Sequence, residues 1–168
     1  MTETDDAGTT ARSRTVLLTG ATGYIGGRLA PRLLAAGHRV RVLVRSPEKL
    51  RDVPWARDVD VVRGDLGDPE SVKNACGDVD VIYYLVHSMG GRGEFLDAER
   101  LAAGHVAAAA CRAGVGRIVY LGGLHPKSAE LSAHLRSRAQ VGQVLLDSGV
   151  PTLVFQAGVV IGSGSASF

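Results

Sequence analysis

The chain has 168 residues, 45% of them hydrophobic and 21% charged, and its formal net charge is +2. A domain of this size buries a core that needs neither disulfides nor a structural metal. Scattered basic residues, aromatics at only 5% and no apolar stretch of membrane-spanning length argue against nucleic acid or a membrane as the main partner.

Residues 1–13 are polar, carry Glu3, Asp5 and Asp6, and lack the basic and apolar regions of a signal peptide. They read as a disordered tail on a cytoplasmic protein, with the folded part at 14–168. Residues 15–19 (TVLLT) form a first strand that ends at Gly20. A helix over 24–36 puts Ile25, Leu29, Leu33 and Leu34 on one side, and Gly37 stops it. Pro31 inside that helix costs about 3 kcal/mol and calls for a kink or local adjustment. Residues 40–44 (VRVLV) form a second strand, and Pro47 opens a short helix. A third strand covers 59–62, and Asp68 is placed to cap the helix beginning at Pro69. The run 79–86 (VDVIYYLV) is apolar enough for a fourth strand buried on both faces. A long Ala-rich helix over 94–113 precedes a fifth strand at 116–121. A helix over 132–148, ended by Gly149, leads to a sixth strand at 151–157. Cys76 and Cys111 lie far apart without a CxxC pattern and read as two free core cysteines. The five His show no metal-binding spacing.

Strands alternating with helices imply an α/β fold, a doubly wound parallel sheet of six strands in the order 3-2-1-4-5-6. The ligand crevice then lies between the first and fourth strands. The segment Gly20-Ala21-Thr22-Gly23-Tyr24-Ile25-Gly26 reads GxxGxxG, after a strand and at the start of a helix. Gly20 permits the tight turn, Gly23 the approach of a pyrophosphate, and Gly26 close helix–sheet packing. Helix-start N–H groups and the Thr22 hydroxyl would meet the phosphates. Arg45 stands where an NAD-binding fold carries Asp or Glu for the ribose 2′-OH. A guanidinium there favours NADP(H) over NAD(H) by binding a 2′-phosphate, or else is a solvated strand-end Arg. Asp65 either accepts from an adenine amino group, with Leu66 against the ring, or caps its own turn. Leu85, Val86 and His87 end the fourth strand beside the expected ribose and pyrophosphate.

GATGYIGG, LVRSPEKL and VVRGDLGDPESV together resemble the atypical and extended short-chain dehydrogenase/reductases, most closely the NmrA-like NAD(P)H-binding branch. YLGGLHPKSAELSAHLRSRAQVG and AGVVIGSGSASF resemble a bacterial subgroup of larger proteins with an extra C-terminal region. The resemblance runs over 14–168 and implies a Rossmann fold, a dinucleotide cofactor and a small-molecule substrate. It implies cofactor contacts from Gly20, Thr22, Gly23, Tyr24, Ile25, Gly26, Arg45, Asp65, Leu66, Leu85, Val86, His87, Gly122 and Arg138.

The family's catalytic pattern is a Ser or Thr after the fifth strand and Tyr-x-x-x-Lys on the next helix. Here Gly123 replaces the hydroxyl residue, while His134 and Arg138 replace the Tyr and Lys. An imidazole can exchange protons near neutral pH, which makes His134 the candidate acid/base; Arg138 can hold a ribose or phosphate. Three readings stay open: an oxidoreductase on a small carbonyl or quinone-like compound, a non-catalytic dinucleotide-binding sensor or interaction module, and a piece of a longer reductase. Phe168 falls where relatives go on to build the substrate pocket, so the substrate region is expected to be largely absent. An exposed apolar surface beyond the sixth strand would then favour self-association.

Overall fold

The computed structural model describes residues 12–86, 94–125 and 131–164. Six parallel strands form one sheet: β1 Thr15–Thr19, β2 Arg39–Val44, β3 Asp60–Arg63, β4 Val81–Tyr84, β5 Arg117–Gly123 and β6 Thr152–Ala157. Their order is β3-β2-β1-β4-β5-β6, the doubly wound arrangement expected. The helices are α1 Tyr24–Ala35, α2 Pro69–Ala75, α3 Glu94–Ala113 and α4 Ala133–Leu146. Successive strand residues point to opposite faces, so two core layers result. Val16, Leu18, Val42 and Val44 meet Ala30 and Leu33 of α1 on one face. Leu17, Ile82, Ile118 and Tyr120 meet α2, α3 and α4 on the other through Val72, Val106, Val141 and Leu145. Burial on both faces is why the central strands are almost wholly apolar.

The fourth strand is shorter than its apolar run. Beyond Tyr84 the Leu85 N–H goes to the Thr19 hydroxyl at 3.3 Å instead of a ladder carbonyl. A 3-10 helix at Pro54–Asp58, for which no expectation was formed, carries Trp55. Cys76 is buried as expected, but Cys111 is exposed on α3 and is not a core residue. The α3 turn that carries it faces solvent because only the other side of the helix packs on α2 and α4.

Pro31 does not break α1, which runs through it to Ala35. A proline at position 31 leaves the carbonyl of Gly27, four residues back, without its helical donor. Trp55 supplies one: its indole Nε1–H donates to the Gly27 oxygen at 3.1 Å. The local adjustment called for in the sequence is thus a distant side chain.

Trp55→Phe should therefore lower stability by about 1–3 kcal/mol, the range for an orphaned buried acceptor. The loss should shrink in a Pro31→Ala background, where residue 31 regains an N–H for Gly27; additive effects in urea melts followed by circular dichroism would refute the coupling. Burial pushes the Cys76 thiol up to about 11. A thiol reagent at pH 8 should label Cys111 quickly and reach Cys76 only on unfolding.

Candidate functional site

The cleft opens at the C-terminal edge of the sheet, between β1 and β4, where the covering helices pass to opposite faces. Thr19 is fully buried there. Its hydroxyl donates to the Tyr83 carbonyl at 3.3 Å while accepting from Leu85 N, which ties the two strands together at the cleft floor.

The glycine loop is shaped by close backbone contacts. Gly20 has a φ of +75°, and a Cβ on it would lie 3.1 Å from the Leu85 carbonyl. A Cβ on Gly26 would collide with the Gly20 oxygen and sit 2.8 Å from Ala21 Cα. The helix α1 can start this close to β1 only with hydrogen at that position. Gly23 caps α1 with no side-chain hydrogen bond, and no acidic residue stands in its first turn. The starts of α2 and α4 differ. Asp68 accepts from Glu70 N and Ser71 N on α2, and Ser132 accepts from Leu135 N on α4. The first N–H groups of α1 are thus left for a ligand, at the positive end of the helix dipole. Uncapped N–H groups of this kind are the donor set that a pyrophosphate takes, and a Cβ at Gly26 would wedge the helix start away from the Gly20–Ala21 backbone.

The cleft measures about 1190 Å³. That exceeds the roughly 300–1,000 Å³ of a pocket for one drug-sized ligand. Gly20, Thr22, Gly23, Tyr24, Ile25, Gly26, Arg45, Asp65, Leu66, Leu85, Val86, Gly122 and Arg138 all stand in its wall. His87 lies outside the described residues. His134 is exposed and outside the wall; α4 contributes Leu135 and Arg138 instead. Residues that sequence reasoning missed are Lys49 beside Arg45, and Glu99 and Leu135 at the opposite end. Lys49 was legible in LVRSPEKL, one helical turn past Arg45. Glu99 and Leu135 had no signal, since helix packing alone turns them inward.

Arg45 is 81% exposed, and its Nε lies 3.9 Å from Asp65 Oδ2. Asp65 Oδ1 accepts from Gly67 N at 2.8 Å, so Asp65 caps its own turn. Leu66 is buried, and its carbonyl accepts from His105 Nδ1–H at 2.9 Å.

At the other end, Gly123 closes β5. A Cβ there would lie 2.9 Å from Leu135 Cδ2 and 3.1 Å from Arg138 Cδ. The space a Ser or Thr would need is filled from α4. Two buried tyrosines stand nearby, edge to face with centroids 5.8 Å apart. Burial raises the Tyr84 hydroxyl well above its ordinary range and pushes that of Tyr120 up to about 12. Tyr120 also donates to the Arg138 carbonyl at 3.1 Å. Neither phenol has the lowered pKa of an acid/base tyrosine. The buried Ser137 hydroxyl donates to Glu99 Oε2. The segment 158–164 covers the glycine loop: Arg28 stacks on Tyr24 at 3.7 Å and donates to the Ser163 carbonyl at 2.8 Å.

Among the described residues, no group of three or more His, Cys, Asp or Glu could hold a metal, and no helix is long and apolar enough to cross a membrane. The sequence profile of a family described as NAD(P)H-binding matches residues 20–149. The chain is 35% identical over 137 residues to the (4-alkanoyl-5-oxo-2,5-dihydrofuran-3-yl)methyl phosphate reductase of Streptomyces griseus, covering 81% of this chain and 44% of that protein. Its structure resembles an NADPH-dependent quinone oxidoreductase of Escherichia coli complexed with NADPH, with TM-score 0.69, 25% identity, and coverage of 84% and 48%. It also resembles the Bordetella bronchiseptica enzyme WbmH in complex with NAD+, with TM-score 0.72, 23% identity, and coverage of 86% and 56%. The chain spans less than half the length of such curated relatives, 44%, 38% and 32% of three of them.

Two neighbouring glycines test the cradle. Gly26→Ala should cost about 1–3 kcal/mol by overpacking and weaken dinucleotide binding more than tenfold. Gly27→Ala, whose Cβ would sit at an ordinary 3.5 Å from the Ala21 oxygen, should leave binding intact. Thermal melts and NADPH fluorescence titrations read both; equal effects would refute the steric account.

Proposed function

Because the chain belongs to the NAD(P)H-binding family, we propose that it favours NADP(H) over NAD(H) and presents the cofactor to a small carbonyl or quinone-like substrate. The observation that carries the preference is Arg45 at the end of β2, with Lys49 beside it in the cleft wall. A 2′-phosphate takes a charge-assisted, bidentate bond from such a guanidinium. Asp65 is the carboxylate nearest to Arg45, at 3.9 Å, and one of its oxygens is already engaged by Gly67 N. An ion pair that long between exposed groups yields at little cost. The glycine loop and the α1 N-terminus would hold the pyrophosphate, and Leu66 would support the adenine. Leu85, Val86 and Gly122 would border the nicotinamide half. The bound cofactor supplies the hydride; the chain orients it and excludes water. The quinone oxidoreductase among the structural neighbours supports the substrate class by likeness alone.

A second reading, a dinucleotide-binding sensor without turnover, has its own support. Gly123 offers no hydroxyl, the two tyrosines are pushed away from acid/base use, and His134 stands outside the cleft wall. Loss of NADPH absorbance at 340 nm with a carbonyl and quinone panel decides between the two. Tight binding with no turnover selects the sensor. Turnover abolished by His134→Ala would give that residue the acid/base role after all.

Arg45→Asp should weaken NADPH binding by about ten- to a hundredfold, the equivalent of one charge-assisted bond, and leave NADH binding nearly unchanged. Parallel fluorescence titrations check this; an unaltered NADPH-to-NADH ratio overturns the preference.

A further inference from the structure

A second cavity of about 220 Å³ lies behind the end of β5, between α4 and β6. Its described walls include Arg138, His125, Gln156 and Tyr120, and contain no carboxylate. Arg138 borders both this cavity and the main cleft. Two buried nitrogens here, Arg138 Nε and His125 Nδ1, have no hydrogen-bond partner among the described residues. His125 Nε2 lies 3.3 Å from Gln156 Nε2. With the amide assigned that way round, Nε2 is the acceptor, the imidazole proton sits on Nδ1, and both orphans are donors. No carboxylate among the described residues lies in ion-pair range of the Arg138 guanidinium.

Two other arginines are engaged within the protein. Arg41 is bound to Asp60 at 2.6 Å and to the Gly77 carbonyl, and Arg39 donates to the Thr15 hydroxyl. A half-buried guanidinium with a shut-off, unmet Nε–H is costly to keep, and an oxyanion removes that cost with a charge-assisted bond. The cofactor's own phosphates are accounted for elsewhere. They belong at the α1 N-terminus and at Arg45, just past the end of β2. Three strand spacings, about 14 Å, separate β2 from β5.

We propose that Arg138, with His125 and Gln156, forms an anion subsite that takes a carboxylate or phosphate group of a small substrate lying in the main cleft. Naming the anion as the substrate's rests on the dinucleotide reading above; the anion site itself does not. The inference narrows the substrate class from small carbonyl compounds to those bearing an oxyanion at one end.

The probes are 4-oxopentanoate, its methyl ester and inorganic phosphate. Each is titrated into the cofactor-free chain and the NADP+-loaded chain, and binding is followed by ligand-observed NMR. In wild type the acid should saturate and the ester bind at least tenfold more weakly. Phosphate competing with the acid in both forms identifies the shared oxyanion chemistry; phosphate competing only in the cofactor-free chain means that it occupies the pyrophosphate cradle, and the subsite then takes carboxylates alone. Arg138→Gln should abolish the difference between acid and ester, and Arg138→Lys should keep part of it. If Arg138→Gln fails to fold by circular dichroism, Gln156→Leu, at an exposed strand position, should narrow the same difference. Equal binding of acid and ester in wild type, or an unchanged difference in the variants that fold, overturns the proposal. NADPH titration of the wild type without anion is scored separately: no cofactor binding there removes the dinucleotide reading and leaves the anion site to stand or fall on the cofactor-free titrations.

Discussion

The contact on which the rest depends is backbone against backbone: the start of α1 pressed onto the Gly20 carbonyl, with Gly26 giving way to it. This fixes the axis of α1 over β1 and β2 and aims its uncapped N-terminus into the cleft. The same approach brings Leu85 against Gly20, so the end of β4 becomes the cleft's other lip. A larger residue at position 26 would lift the helix, and the dipole and N–H groups would no longer face the crevice. Binding geometry and core packing are therefore one constraint, expressed at one residue.

Around this contact three polar groups are met by side chains remote in sequence. Pro31 removes a helical donor, and Trp55 replaces it from 24 residues away in sequence. Thr19, fully buried in the sheet, meets the Tyr83 carbonyl of β4 and the Leu85 N–H just beyond it with a single hydroxyl. His105 meets the Leu66 carbonyl in the turn after β3. Each tie joins segments of different layers or strands near the cleft, so the walls are held by fixed directional bonds as well as by apolar contact. The cleft's cations are divided in the same way, with Arg45 and Lys49 at the β2 end and Arg138 at the β5 end.

The features legible in the sequence are those that depend on local pattern. Alternating strand and helix segments, the glycine spacing and the position of Arg45 indicate the sheet order and the residues that line the β1–β2 end of the cleft. What was not legible depends on contacts remote in sequence. The end of β4 is set by a hydroxyl on β1, and the rescue of Pro31 by an indole on a 3-10 turn. His134 and Arg138 are one turn apart, and periodicity alone puts them on one face. Yet four residues advance about 400° around a helix, 40° past a full turn. At the start of α4 that offset leaves His134 in solvent, while Leu135 and Arg138, three apart, reach the cleft. On the edge strand β6, Leu153 and Phe155 are 46% and 53% exposed.

The departures from the family's catalytic pattern are linked by sterics. The Arg138 side chain lies over Gly123 so closely that a Cβ would stand 3.1 Å from its Cδ and 3.2 Å from its Nη1. A hydroxyl residue at 123 would require the Arg138 side chain to give by a few tenths of an ångström. Leu135 presses on the same point from the next turn, at 2.9 Å. Restoring the family's hydroxyl alone would displace the guanidinium without recreating the Tyr or Lys. Substituting Lys at 138 alone would keep the aliphatic contact over Gly123 but lose the planar fork of the guanidinium. A site that had merely lost its catalytic groups would show independent gaps. Here Leu135 and Arg138 of α4 occupy the room above Gly123, so no gap stands where a hydroxyl side chain would be.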